Sequence, residues 1–318
     1  MVELYDRVDR VAPLEMPVLI RGETGAGKEL VARALNERSG RGEEALEALN
    51  CGAFPPHLVE SLLFGHERGC FTGASESSTG LIVAAGTGTL FLDEVGELAP
   101  TAQAALLRVL SEGTVRPLGA TEERLVRARI VAATHRDLEA MCEAGTFRRD
   151  LYFRLARVTL YVPPLRERLD ELEALVDRFI QSANEKYGMQ VQCCSPKALA
   201  VLRRYGWPGN VRELHAVIEE AMVFCDDDQL GVDDLPARLA VPTVEEPSST
   251  LELCDGEDLR TRVRRYEADL IASTLDATGG NQKSAAEALQ IPLRTLVHKI
   301  KSLGIRRRTT HGHRPESR

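Results

Sequence analysis

No stretch of this 318-residue sequence reaches the roughly eighteen apolar residues that a membrane-spanning helix needs, and the N-terminus lacks the basic-then-apolar pattern of an export signal. Both absences point to a cytoplasmic protein. The seven cysteines, at 51, 70, 142, 193, 194, 225 and 254, form no CxxC pair and have no histidines at metal-ligand spacing. Reduced thiols are therefore expected, not disulfides or a zinc site. The net charge of −8 is unevenly spread. Residues 259–318 carry 13 Lys/Arg against 5 Asp/Glu, a local balance of +8, which leaves −16 for residues 1–258. A basic end on an acidic body suggests nucleic-acid binding at the C-terminus alone.

What the chain does have begins at Pro17–Val31, PVLIRGETGAGKELV. An apolar run feeds a glycine-rich turn, and Lys28 opens a segment with helical spacing at Leu30, Val31, Ala34 and Leu35. This strand, loop and helix predict a phosphate cradle over Gly22, Glu23, Thr24, Gly25, Ala26, Gly27, Lys28 and Glu29. The glycines let backbone N–H groups turn inward, the helix start adds its positive dipole end, and Lys28 adds a point charge. Glu29 stands where a Ser or Thr usually helps hold magnesium, so another carboxylate must carry more of the metal. Thr89–Glu94, TLFLDE, supplies it: a strand closing on Asp93, expected to bind Mg2+, and Glu94, expected to polarise the attacking water.

Further along, an apolar strand at Ile130–Ala133 ends in Thr134 and His135, polar residues that could sense the outermost phosphate. Gly145–Leu155 crowds in Arg148 and Arg154. They are expected either to form surface salt bridges, as with Asp150, or to reach a neighbouring subunit's nucleotide. Strands alternating with helices over residues 1–165 predict an α/β domain with a mainly parallel sheet, and residues 166–238 a helical lid whose Trp207-Pro208-Gly209-Asn210 turn positions Arg212. Residues 239–257 read as a linker. In residues 258–305 a long helix, Leu259–Leu275, precedes two short ones joined at Gln290-Ile291. The pair is a helix-turn-helix whose last helix presents Arg294, Thr295, His298, Lys299 and Lys301 to a DNA groove. A basic tail, 306–318, follows and can hold phosphates through Arg306–Arg308.

Together these pieces resemble the sigma-54-dependent transcriptional activators, or bacterial enhancer-binding proteins, ATPases of the AAA+ class, over residues 1 to about 305. The most specific motif is Gly69-Cys70-Phe71-Thr72-Gly73-Ala74, similar to the family's GAFTGA loop, which contacts sigma-54; Cys70 replaces an alanine. The resemblance implies a P-loop ATPase with a parallel sheet and helical lid, followed by a small all-α Fis-type domain. It implies ATP and Mg2+, a glutamate at Glu29 as a family habit, Asn50 restraining the catalytic Glu94, and Arg148 and Arg154 as arginine fingers. Thr134 with His135 would be the first sensor and Arg212 the second. The implied partners are the sigma-54 RNA polymerase holoenzyme, upstream enhancer DNA and copies of the chain itself, in a ring that is commonly a hexamer with dimeric DNA-binding domains.

Departures from the family pattern bear on output. Thr87 replaces a glycine before the Asp-Glu strand, Leu293 and Val297 stand where basic residues are frequent, and Gln290 replaces a turn glycine. The family's adenine-holding segment would lie before Met1, and no receiver or sensory domain is read in the sequence, so control is expected from a partner in trans, from expression level or from a further N-terminal domain. The expected function is ATP-driven remodelling of sigma-54 polymerase. The alternative is a DNA-binding regulator whose AAA+ fold serves oligomerisation; a third reading, another DNA-directed AAA+ motor, is disfavoured by the Phe71-Thr72 loop.

Overall fold

The computed structural model describes residues 1–41, 46–70, 76–239, 267, 268, 271, 274, 275, 278 and 281–303. It divides into two units, Met1–Val244 and Glu245–Arg318, each described by itself below.

In the first unit, α1 (Val2–Val11) buries Leu4, Val8 and Val11, a single face at helical spacing. Pro13 follows its end. There the buried guanidinium of Arg129 donates to the carbonyls of Val11 (3.0 Å), Ala12 (2.7 Å) and Met16 (3.3 Å), supplying partners for carbonyls that a helix end leaves open. Next come β1 (Val18–Arg21), α2 (Lys28–Glu37), β2 (Leu46–Asn50), α3 (Pro56–Phe64), α4 (Leu81–Ala84) and β3 (Thr89–Asp93). They are followed by α5 (Pro100–Glu112), a short hairpin of β4 (Thr114–Val115) and β5 (Arg124–Leu125), β6 (Arg129–Thr134), α6 (Leu138–Glu143), α7 (Arg149–Leu155) and β7 (Val158–Tyr161).

The five longer strands form one parallel sheet in the order β2-β3-β6-β1-β7. Leu19, Leu90, Leu92 and Ala132 pack on one face with Val59, Leu63, Leu106 and Leu151; Val18, Ile20, Phe91 and Val131 pack on the other with Val8, Val31 and Leu35. Helices on both sides explain why these strands read as continuous apolar runs. The register sets Arg21 beside Thr134 and Asn50 beside Asp93, so the strands' C-terminal ends carry the polar residues to one edge. The strand expected at Ala48–Cys51 starts earlier, at Leu46, because it pairs residue for residue with β3.

The helical lid contains α8 (Leu172–Tyr187), β8 (Cys193–Cys194), α9 (Pro196–Arg204), α10 (Asn210–Val223) and β9 (Gln229–Leu230), with β8 pairing parallel to β9. Its core surrounds the fully buried Trp207, whose indole N–H donates to the Leu202 carbonyl at 2.9 Å. Trp207 and Asn210 both hold positive φ (52° and 54°), a conformation that turns the chain sharply into α10.

In the second unit, α11 (Gln282–Ala288) and α12 (Leu293–Leu303) pack through Ala285, Ala286, Leu296, Ile300 and Leu303, with Ile271 also buried in this core. Asn281 caps α11, its side-chain oxygen accepting from the Lys283 and Ser284 N–H groups. Gln290 sits at φ +53°, the left-handed region that a glycine would occupy without steric cost. The long helix expected over Leu259–Leu275 falls mostly outside the described residues, although 267, 268, 271, 274 and 275 are helical. The linker beyond Leu239 and the basic run Arg306–Arg308 lie outside them too.

Candidate nucleotide site

The phosphate loop leaves β1 at Gly22, where an added Cβ would lie 2.8 Å from the Val162 carbonyl oxygen, and re-enters helix at Lys28 after Gly25 (φ 76°) and Gly27 (φ 100°). A cleft of 590 Å³ opens here between the α/β layer and the lid, a size suited to a small organic ligand. Thr24, Gly25, Gly27, Lys28, Glu29, Asp93, Glu94 and Arg212 all line it. The topology thus gathers residues from three separate sequence stretches.

Lys28 is buried, and its ammonium donates to the carbonyls of Gly22 (3.0 Å) and Glu23 (3.2 Å) and lies 3.6 Å from Glu94 Oε1. Glu94 itself occupies the left-handed region at φ 53°, a strained backbone for a non-glycine residue that recurs at functional positions. Its Oε2 meets His135 Nδ1 at 2.7 Å. Asp93 Oδ1 accepts from the Glu94 N–H at 3.0 Å, and burial, followed by the neighbouring Glu94 charge, raises the Asp93 pKa against the opposing pull of Lys28.

Asn50 does not reach Glu94. Its amide nitrogen lies 3.3 Å from Asp93 Oδ2 and its oxygen accepts from Gly52 N–H, because the parallel register places Asn50 directly beside Asp93. The expected restraint of Glu94 by Asn50 is therefore corrected: Lys28 and His135 hold Glu94. Thr134 is fully buried, its hydroxyl accepts from Arg136 N–H, and it is not among the residues lining the cleft. Glu29 is exposed and paired with Arg33 at 2.7 Å, one turn along α2.

Arg148 and Arg154 do not line this cleft. Arg148 makes two bonds to Asp150 (2.8 and 3.0 Å), the local pairing that its sequence neighbourhood allowed. Arg154 is exposed on α7, whose Leu151 and Leu155 are buried.

Sequence reasoning missed several contributors. Phe179 and His215 line the cleft as an edge-to-face pair with centroids 4.7 Å apart. His215 follows Arg212 by three residues on α10, a same-face spacing that could have flagged it. The Glu23 carboxylate turns to the lid, accepting from Arg166 (2.6 and 2.9 Å) and from Asn210 (3.0 Å); the Arg166 bond is the main cause of its lowered pKa. Arg168, buried, donates to the Ala26 carbonyl at 2.6 Å.

Whether these residues fit a nucleoside triphosphate and a divalent cation follows from the donors. The N–H groups of Gly25 and Gly27 have no protein acceptor among the described residues, and Lys28 and Arg212 bring positive charge to the cleft. Asp93 and Glu94 form an adjacent acidic pair whose mutual repulsion a cation would relieve. The donor set fits both groups.

Of the expected sigma-54 loop, Gly69 and Cys70 are described, while Phe71, Thr72, Gly73 and Ala74 lie outside the described residues. The loop's base is pinched where Gly65 and Gly80 cross: an added Cβ on either would lie 2.4 Å from backbone of the other strand. Cys70 is exposed, whereas Cys51 and Cys194 are buried, with thiols pushed up to about 12, first by desolvation. Maleimide labelling of the folded chain, read by mass spectrometry, is expected to modify Cys70 roughly a hundredfold or more faster than Cys51 and Cys194. Comparable rates would contradict this burial pattern.

In the second unit Arg294, Thr295, His298 and Lys301 are exposed along α12 at spacings that share a face, while Lys299 is ion-paired with Glu267. Among the described residues no helix is long and apolar enough to cross a membrane, and no cluster suited to a His/Cys metal site occurs.

Comparison with known proteins matches residues 1–161 to the sigma-54 interaction domain, 166–251 to an AAA+ ATPase lid domain and 262–303 to the Fis family of bacterial regulatory proteins. The transcriptional regulatory protein ZraR of Escherichia coli is 41% identical over 300 residues, covering 94% of this chain and 66% of ZraR. The nitrogen fixation protein AnfA of Azotobacter vinelandii is 42% identical over 305 residues, covering 96% of this chain and 56% of AnfA. The chain therefore spans just under two thirds of ZraR and somewhat over half of AnfA. A crystal structure of NtrX from Brucella abortus in complex with ATP aligns with a TM-score of 0.68 at 32% identity, over 96% of this chain and 68% of that one.

Proposed function

This chain belongs to the sigma-54-dependent transcriptional activators, and we propose that it hydrolyses ATP with Mg2+ to remodel the sigma-54 RNA polymerase holoenzyme from upstream DNA. The observation that carries the reading is the convergence of Lys28, Asp93, Glu94 and Arg212 on one cleft, in a chain matched along its length to sigma-54 interaction, lid and Fis-family segments. The ATP complex of NtrX supports the choice of nucleotide.

When bound, the magnesium nucleotide supplies a phosphoryl group open to attack by water and an ion that neutralises charge there. Lys28 and the loop N–H groups bind the phosphates, and Asp93, steadied by Asn50, is the ligand for the ion. Glu94 polarises water and takes its proton at the carboxylate, oriented by His135 at Oε2 and by Lys28 near Oε1. Arg212 adds positive charge from the lid, and the Thr134 hydroxyl fixes the turn after β6 by accepting from Arg136 N–H. The oligomer is a ring, commonly a hexamer in this family, in which Arg154, and Arg148 once released from Asp150, act on a neighbour's site. Arg294, Thr295, His298 and Lys301 face DNA from α12, and Lys299 joins them when it parts from Glu267.

The sigma-54 contact is assigned to the loop Gly69–Ala74, with Phe71 and Thr72 at its working tip. Its test separates chemistry from output. Thr72→Ala is expected to keep ATP hydrolysis and DNA binding while losing capture of sigma-54 in the presence of ADP–aluminium fluoride and losing open-complex formation. Normal promoter opening by this variant would remove the loop from the mechanism.

A further inference from the structure

The lid does more than cover the cleft. It supplies the donors for three successive carbonyls of the phosphate loop: Asn210 Nδ2 to Thr24 O at 3.1 Å, the Val211 and Arg212 N–H groups to Gly25 O at 3.1 and 3.3 Å, and Arg168 to Ala26 O at 2.6 Å. In a planar trans peptide the N–H points opposite to the C=O of the same unit. Drawing the carbonyls of Thr24 and Ala26 toward the lid therefore turns the N–H groups of Gly25 and Gly27 away from it. The approach is close enough that a Cβ at Gly25 would stand 2.3 Å from the Gly209 carbonyl oxygen.

One residue gathers these connections. Asn210 is fully buried, and its side-chain oxygen accepts from Leu165 N–H at 2.8 Å, where the chain enters the lid. Its nitrogen is shared between Thr24 O and Glu23 Oε2. The Glu23 carboxylate is in turn held by the two-point bond from Arg166. Three segments thus meet at one polar cluster: the phosphate loop, the lid entrance and the start of α10.

We propose that Glu23, Arg166 and Asn210 form a latch through which the docked lid sets the shape of the phosphate loop, so that affinity for nucleotide depends on whether the lid is seated. They are positioning residues, acting through the loop backbone. The inference rests on the reading of this cleft as a nucleotide site. It assigns to Glu23 a role distinct from direct phosphate contact, for which a carboxylate is electrostatically unsuited.

Glu23 and Arg166 can be replaced without emptying the core, since their side chains are 40% and 46% exposed. In the purified full chain, Glu23→Ala and Arg166→Ala are each expected to weaken binding of a fluorescent ATP analogue by about three- to tenfold, a modest loss because the pair is partly solvated. The double variant should be no weaker than either single one, and Arg166→Lys, which keeps the charge and one donor, should fall between Arg166→Ala and the parent. For Arg166→Ala the turnover rate at saturating ATP should stay within about twofold of the parent, separating positioning from chemistry. Without nucleotide, amide hydrogen exchange at Val211 and Arg212 should quicken several-fold, because their acceptor on Gly25 is no longer held in place.

Arg238→Ala, which breaks an exposed pair with Glu220 elsewhere on the lid, should leave affinity and exchange as in the parent. Parent-like affinity and exchange in Glu23→Ala and Arg166→Ala would overturn the latch, as would additive losses in the double variant. A parent chain that bound the analogue no better than Lys28→Ala would instead overturn the nucleotide reading itself, and the latch with it.

Discussion

Glu94→Gln is expected to bind ATP at least as tightly as the parent while hydrolysing it about 10² to 10⁴ times more slowly, the range for losing a positioned general base. The amide keeps the size of the side chain and an oxygen that can accept from His135, now 2.7 Å from Oε2, so the local packing is undisturbed. What disappears is a negative charge 3.6 Å from the Lys28 ammonium and beside the half-buried Asp93. Removing it reduces repulsion toward an anionic ligand, which is why affinity should hold or rise. Binding of a fluorescent ATP analogue and release of phosphate, measured on the same preparation, separate the two effects. Turnover within about twofold of the parent would show that Glu94 does not activate water. His135 is the internal comparison, because it touches the carboxylate without being able to replace its basicity in the same place.

Parts of this site are legible in the sequence because their chemistry and their spacing sit on one short segment. Gly22 to Lys28 declares a phosphate loop in seven residues, and the apolar run before Asp93 and Glu94 declares a buried strand end. The sheet follows for the same reason, since helices cover both faces and its inner strands run apolar through residues 18–20, 90–92 and 130–133. Contacts fixed by register or by distant segments leave no such mark. Asn50 carries the expected residue type, yet its partner is Asp93, a choice made by the pairing of β2 with β3. Arg129 opens an apolar strand and looks like a boundary residue, but its guanidinium caps α1 from more than a hundred residues away, at separations of 113 to 118. The lid contacts of Glu23 are the extreme case. Arg166 and Asn210 lie 143 and 187 residues downstream, and no local pattern could have joined them to the loop.

Arg154→Ala should lower hydrolysis by about 10³ to 10⁵ while leaving nucleotide affinity nearly intact, the signature of an arginine finger supplied in trans. The geometry favours this over a role within the same chain. The cleft that holds Lys28 and Glu94 does not include Arg154, which is exposed on α7, whose Leu151 and Leu155 are buried, beside Phe153 at 63% exposed. Arg148 is already bonded to Asp150, although both side chains are half exposed, and a pair so well solvated holds only weakly. Arg148→Ala should still cost less, because the bond to Asp150 competes with any contact to a neighbour's site. The decisive measurement mixes Arg154→Ala with Lys28→Ala, two chains that are inactive alone. In a head-to-tail ring each site draws its lysine from one subunit and its finger from the next, so random mixing in equal amounts leaves about one quarter of the interfaces complete. Hydrolysis should return toward that fraction of the parent rate, and no further if neighbouring sites act independently. Rings shown by native mass spectrometry to contain both chains, yet still inactive, would place the arginine's function within its own subunit and end the case for a shared site.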